Sequence, residues 1–177
     1  MSIKDRAKSQ FISTTEALFT LWFDALAKMV ATGDRNAVSV TDRVAAMERF
    51  GTAWANLAKY EPPHKSLCVF VEYTFKQAAT KLDEDVAVSF IGNGIGMALV
   101  TTVKTRSPYH AALYPRLGAL YVADLLDRPN VHTYRSEVDK MATAIYLNGT
   151  PIHTLQNLLN EWAHTVGTVP ILVAPLH

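Results

Sequence analysis

The sequence predicts a single, mostly helical domain, and three observations carry that reading. Apolar residues recur at steps of three and four along most of the chain. Gly33, Pro62-Pro63, Pro151 and Gly167 punctuate the pattern where helices would begin or end. With 177 residues and 49% hydrophobic content, the chain has the size of one domain and enough apolar surface for a sizeable core. The domain is assigned to residues 1–177, with 168–177 as an uncharged, apolar tail.

The first helix is predicted from about Asp5 to Val30. Phe11, Thr15, Leu18, Trp22, Ala25 and Met29 make one stripe, which Phe19, Phe23 and Leu26 widen, so the helix should meet neighbours on two sides. Gly33-Asp34 ends it. The second starts near Ser39, whose spacing to Asp42 suits an N-cap followed by an acid in the first turn. Val44, Met47, Phe50, Trp54 and Leu57 form its apolar face, and Glu61-Pro62-Pro63 stops it. From Lys65 to Lys81 two readings fit. Ser66 to Phe75 has the β-branched and aromatic content of a strand, and a helix through Gln77-Ala78-Ala79 is as consistent. Asp83-Glu84-Asp85 suits a helix start.

Val86 to Val103 reads on its own pattern as a β-hairpin, two β-branched runs about Gly92-Asn93-Gly94. Three glycines would weaken a helix there by about 1 kcal/mol each. After Ser107-Pro108 and Tyr114-Pro115, a helix is predicted from Pro115 to Leu126, with Leu117, Leu120, Tyr121 and Leu125 inward. Asn130 is placed as the cap of a helix to about Leu147, with a stripe of Val131, Tyr134, Val138, Met141 and Ile145. Thr150-Pro151 opens the last helix, whose face is Ile152, Leu155, Leu159 and Trp162.

Net charge is only +1, so general basicity does not argue for nucleic acid; the distribution of charge has to. The lone cysteine, Cys68, has no disulfide partner, which favours a reducing, cytoplasmic setting and a structural thiol. No signal-peptide pattern follows Met1, and no apolar run approaches the roughly 18 residues of a spanning helix, so no membrane association is expected.

Candidate chemistry is sparse. His64, His110, His132, His153, His164 and His177 form no H-x-x-x-H pair, and none neighbours a cysteine. No G-x-S-x-G elbow occurs. Gly92-Asn93-Gly94-Ile95-Gly96 misses the dinucleotide spacing, and no strand–helix alternation frames it. No catalytic residue, metal site or cofactor is expected.

Two absences of charge are more informative. Val86 to Ala123 contains no acid but holds Lys104, Arg106, His110 and Arg116, interleaved with Tyr109, Tyr114 and Tyr121. Cations neutralise phosphates and tyrosines stack on bases, so this stretch is a candidate contact surface. From Met141 to His177 the sole charged side chain is Glu161, which points to burial in the core or against another subunit.

Phe90-Ile91-Gly92-Asn93-Gly94-Ile95-Gly96-Met97-Ala98-Leu99 resembles the I-x-x-N-G-[LI]-G-x-[AT]-L stretch of the small helical subunit of Cmr-type (type III-B) CRISPR effector complexes. Tyr73 through Lys81-Leu82 is similar to that family's lead-in, Asp5-Arg6-Ala7 to its opening, and Leu155 to Val166 with Trp162 to its closing helix. The chain departs in a longer segment from about Thr32 to Tyr60, and in a final helix without basic residues. The resemblance implies an all-α, compact bundle of about six to seven helices, which turns Val86 to Val103 into a helix. It also implies a non-catalytic subunit of an antiviral ribonucleoprotein. Several copies of such a subunit stack along guide RNA and target RNA, beside other effector subunits. Asn93, Gly94 and Gly96 match the family block and are expected to serve packing.

The expected phosphate contacts are Lys104, Arg106 and Arg116, with Lys76 and Lys81 as further candidates. The alternative is a viral coat or nucleoprotein-like assembly subunit that exchanges its tail between neighbours. A third class, a ligand-binding bundle, would set Trp22, Trp54 and Trp162 around a pocket.

Overall fold

The computed structural model describes residues 1–33, 40–102, 108–149 and 152–166, and all of its regular structure is helical. The helices are α1 (Ile3–Thr32), α2 (Val40–Leu57), α3 (His64–Ala79), α4 (Glu84–Val100), α5 (Pro108–Leu125), α6 (Val131–Leu147) and α7 (Ile152–Val166). They form the predicted compact all-α bundle.

α1 begins two residues earlier than Asp5. Ser2 is its N-cap, with the Asp5 amide donating to the Ser2 hydroxyl at 3.1 Å, and Asp5 faces the positive end of the helix. Gly33 ends it in the left-handed region at φ 73°, and its N–H donates to the Met29 carbonyl. The expected Ser39 cap lies outside the described residues, as do the Thr150-Pro151 start of α7 and the tail 168–177. On α2, Met47, Phe50, Trp54 and Leu57 are buried as the periodicity predicts, whereas Val44 is 40% exposed.

α1 and α2 run antiparallel, since Phe11 meets Phe50 and Trp54 while Lys4 and Lys8 reach Glu61 beyond the end of α2. The three rings of Phe11, Phe50 and Trp54 lie 5.6–5.7 Å apart in tilted and edge-on arrangements, which suit their quadrupoles.

The strand reading of residues 66–75 fails on burial. A strand would put Val69, Val71 and Tyr73 on one face. Instead Val71 is wholly buried while Val69 and Tyr73 are 68% and 66% exposed. Cys68 is half-buried, and burial followed by the Glu72 charge pushes its thiol up, away from the reactive thiolate.

The hairpin reading of residues 86–103 is also overturned. Among the described residues, positive φ occurs at Gly33, Asp127 and Gly149, not at the Asn93-Gly94 pair that a tight hairpin turn needs. The glycines have a packing role instead. Residues two apart on a helix point about 200° apart and residues four apart nearly coincide. Gly92 and Gly96 therefore face α5, and Gly94 faces α1. A β-carbon on Gly92 would strike the Ala119 and Gly118 backbone, and one on Gly96 the Tyr114 and Pro115 backbone. One on Gly94 would lie 2.8 Å from Trp22 Nε1. Pairing of 92 with 118 and of 96 with 114 makes α4 and α5 antiparallel, with backbones in contact. Asn93 departs from the packing role expected of the block, because it points outward and is exposed.

α5 starts at Pro108 and contains Pro115 in its interior, so the predicted start at Pro115 is corrected. Pro115 has no N–H for the Ala111 carbonyl. At the next carbonyl, Ala112, the Arg116 guanidinium adds a 2.6 Å hydrogen bond. Tertiary burial holds the helix through this point, because Leu113, Tyr114 and everything from Leu117 to Ala123 is buried.

Asn130 occupies the N-cap position of α6 but makes no side-chain cap bond. Its Nδ2 donates to Asp85 Oδ1 at 2.6 Å instead. The start of α4 is thus tied to the α5–α6 connection. Arg128 pairs with Glu84 and stacks 5.3 Å over Phe75, and the Tyr134 hydroxyl donates to the Asp85 carbonyl at 2.9 Å. The acidic triplet 83–85 is engaged within the fold rather than merely solvated.

α7 docks on α5 and α6 with Leu155, Leu158, Leu159, Trp162 and Ala163 buried, so at least one charge-poor face belongs to the core. Trp162 packs 5.2 Å from Tyr114, which packs 5.7 Å from His110. Burial lowers the pKa of His110 below its ordinary 6.5, against an opposing pull from Glu161. The unfolded chain therefore binds a proton that the native state resists. The stability His110 confers is complete above about pH 6.5 and is lost as pH falls through its native pKa. Thermal melts should show Tm dropping as pH falls below about 6.5, with a flatter profile in His110→Gln.

Candidate nucleic-acid interface

The acid-free stretch from Val86 to Ala123 is mostly interior. Of its described residues, Val86, Asn93, Met97, Pro108, Ala111 and Arg116 are exposed. Tyr114 and Tyr121 are 2% and 5% exposed, and burial is the first cause that raises both phenol pKa values. They are core residues and are closed to base stacking. Tyr109 is half-buried against the core. The scarcity of acids thus follows mainly from α4 and α5 being the central pair of the bundle.

Lys104 and Arg106 lie outside the described residues. Arg116 is exposed on α5, level with Gly96, since Gly96 abuts Tyr114 and Pro115. Lys76 is exposed near the end of α3, and Lys81 sits past that end with its ammonium 5.9 Å from the Phe23 ring. Lys81 precedes the start of α4, and Gly96 is twelve residues into it, so Lys81 and Arg116 are separated by about 18 Å along the α4 axis. The three described candidates do not form one patch.

A different surface, of mixed polar and apolar lining, is assembled by the fold. Among the described residues, Gln10 from α1, Gly51, Thr52, Ala53, Ala55 and Asn56 from α2, Lys59 just after it, and Thr101 and Thr102 after α4 line an open groove of about 430 Å³. No acid is in that lining. Glu61, two residues beyond Lys59, is shared by Lys4 at 3.9 Å and Lys8 at 3.8 Å. A β-carbon on Gly51 would strike Thr101 Oγ1 and lie 2.9 Å from the Ala98 carbonyl oxygen, so glycine lets α2 approach the end of α4. Periodicity gives no warning of this groove, because its residues come from three separate stretches of the chain that only the fold brings together.

Among the described residues, the three tryptophans do not gather around one pocket. Trp54 and Trp162 are buried in packed clusters, and Trp22 lines a void of only about 10 Å³ with Leu18, Phe90 and Gly94. That is room for about one water molecule, far below the roughly 300 Å³ of a small-molecule site. Among the described residues no group of three or more His, Cys, Asp or Glu side chains is placed to hold a metal ion. No helix among them is long and apolar enough to cross a membrane.

No family model, curated protein or solved structure matches the chain.

Proposed function

We propose that this chain is a non-catalytic, RNA-binding structural subunit of a type III CRISPR ribonucleoprotein, stacked in several copies along the guide RNA and its target strand in the cytoplasm. The observation that carries the reading is the block Phe90 to Leu99. The residues on which its resemblance to the small Cmr-type subunit rests lie on the central helix of an all-α bundle, and its glycines are explained by close packing, Gly92 and Gly96 against the α5 backbone and Gly94 against Trp22. That is a scaffold's use of glycine, not a phosphate loop's. In such a subunit phosphate and shape contacts suffice, because base pairing between guide and target supplies sequence specificity. Arg116, Lys76 and Lys81 are exposed, and Lys104 and Arg106 follow α4 in sequence.

Binding of labelled single-stranded RNA should weaken when Lys104, Arg106 and Arg116 are all changed to Glu. The slope of log affinity against log salt should become shallower by about 2, at roughly 0.7 per phosphate on a single strand. Unchanged affinity and slope in the triple variant would remove these residues from the interface. Recovery of a short, uniform RNA with the native complex would support the assignment as a whole.

A further inference from the structure

We propose that the groove between α1, α2 and the end of α4 is a ribose-phosphate site that takes the backbone of single-stranded RNA in preference to DNA. The inference rests on the RNA-binding reading above and assigns it a place that the sequence did not indicate.

The groove has two chemically different ends. At one end, Lys59 supplies a positive charge, and among the described residues it has no ion-pair partner. The side-chain amides of Gln10 and Asn56 add uncharged donors and acceptors. This end suits a phosphodiester, which is singly charged and has no proton to give.

The other end is the C-terminus of α4, where backbone carbonyls carry partial negative charge. The Thr101 hydroxyl donates to the Ala98 carbonyl at 2.6 Å, and the Thr102 hydroxyl to the Leu99 carbonyl at 2.7 Å. The amides of the same two threonines donate to the same carbonyls at 3.2 and 3.0 Å. The carbonyls are therefore satisfied and the hydroxyl protons are committed. What Thr101 and Thr102 retain for a ligand is acceptor capacity. A phosphate oxygen has nothing to offer an acceptor, whereas a ribose 2′-hydroxyl donates to one. Deoxyribose lacks that donor.

The test uses the full chain and two fluorescein-labelled probes of about twelve nucleotides, oligouridine and its 2′-deoxy counterpart, read by anisotropy. The wild type should bind the RNA about fivefold or more tighter than the DNA, as one or two added hydrogen bonds would give. Thr101→Val with Thr102→Val should bring that ratio to about one, leaving DNA affinity in place, and Thr101→Ser with Thr102→Ser should restore it. Lys59→Ala should weaken both probes by the same factor and make the salt slope shallower by about 0.7. Circular dichroism and Tm confirm that each variant is folded. RNA binding by the wild type that none of these variants alters overturns the groove while leaving the RNA-binding reading intact. Equal binding of both probes by the wild type overturns the ribose assignment. Failure of the wild type to bind RNA overturns the reading on which the groove rests.

Discussion

Gly118→Ala should lower stability by about 3 kcal/mol, a large share of the roughly 5–15 kcal/mol that holds a domain folded. The added methyl has nowhere to go. It would overlap the Gly92 carbonyl oxygen and lie 2.8 Å from the Gly92 carbonyl carbon and 3.0 Å from the Gly96 amide nitrogen. Every one of those atoms is backbone, so no side-chain rotation relieves the contact. The α4 and α5 axes must separate, which opens gaps along the whole central pair. Gly96→Ala should behave alike, since its β-carbon would strike the Tyr114 carbonyl and lie 2.7 Å from Pro115 Cα. Asn93→Ala is the control. It lies in the same block, but it is exposed and should change stability by no more than about 0.5 kcal/mol. Urea titrations of the three variants check the contrast. Similar small losses in all three would mean that the seam relaxes freely.

Trp54→Ala should cost about 3–5 kcal/mol, as for other large aromatic truncations in a core. Trp54 is fully buried and touches both Phe11 and Phe50, so its loss leaves a cavity at the junction of α1 and α2. Trp54→Phe should cost well under half as much. It keeps an aromatic ring in the cluster, and it also removes an indole N–H that is buried without a hydrogen-bond partner among the described residues. Thermal melts distinguish the two. Equal losses would mean that the volume of the second indole ring, rather than ring contact, governs the site.

The helices with one apolar face were readable because burial leaves a period in the sequence. Phe11, Thr15 and Leu18 on α1, and Leu155, Leu159 and Trp162 on α7, lie in the core where spacing put them. α4 and α5 were not readable in this way. Both are buried on most sides, so apolar residues fill them without a polar face to set a period. In α4 that left β-branched residues and Asn93-Gly94 to imitate a hairpin. In α5 it let Pro115 pass for a helix start when tertiary packing carries the helix through it. The lack of acids in the same stretch has the same origin. It reads as a contact surface only if the helices are taken to be exposed, and most of their residues are not. The groove escaped for the opposite reason. Gln10, Asn56, Lys59 and Thr101 are ordinary surface residues in sequence, and only the fold gathers them.

The contact of two backbones across α4 and α5 also governs how this chain can change in length. One residue inserted between Gly92 and Gly96 would turn the second glycine by about 100° away from α5 and bring a side chain onto the Tyr114 backbone. An insertion of four residues would turn it by only about 40°, though it would carry Gly96 about 6 Å past its partner. The two helices thus act as a matched pair of rulers. Homologous chains should vary in length outside Gly92 to Gly118 more freely than within either of these two helices.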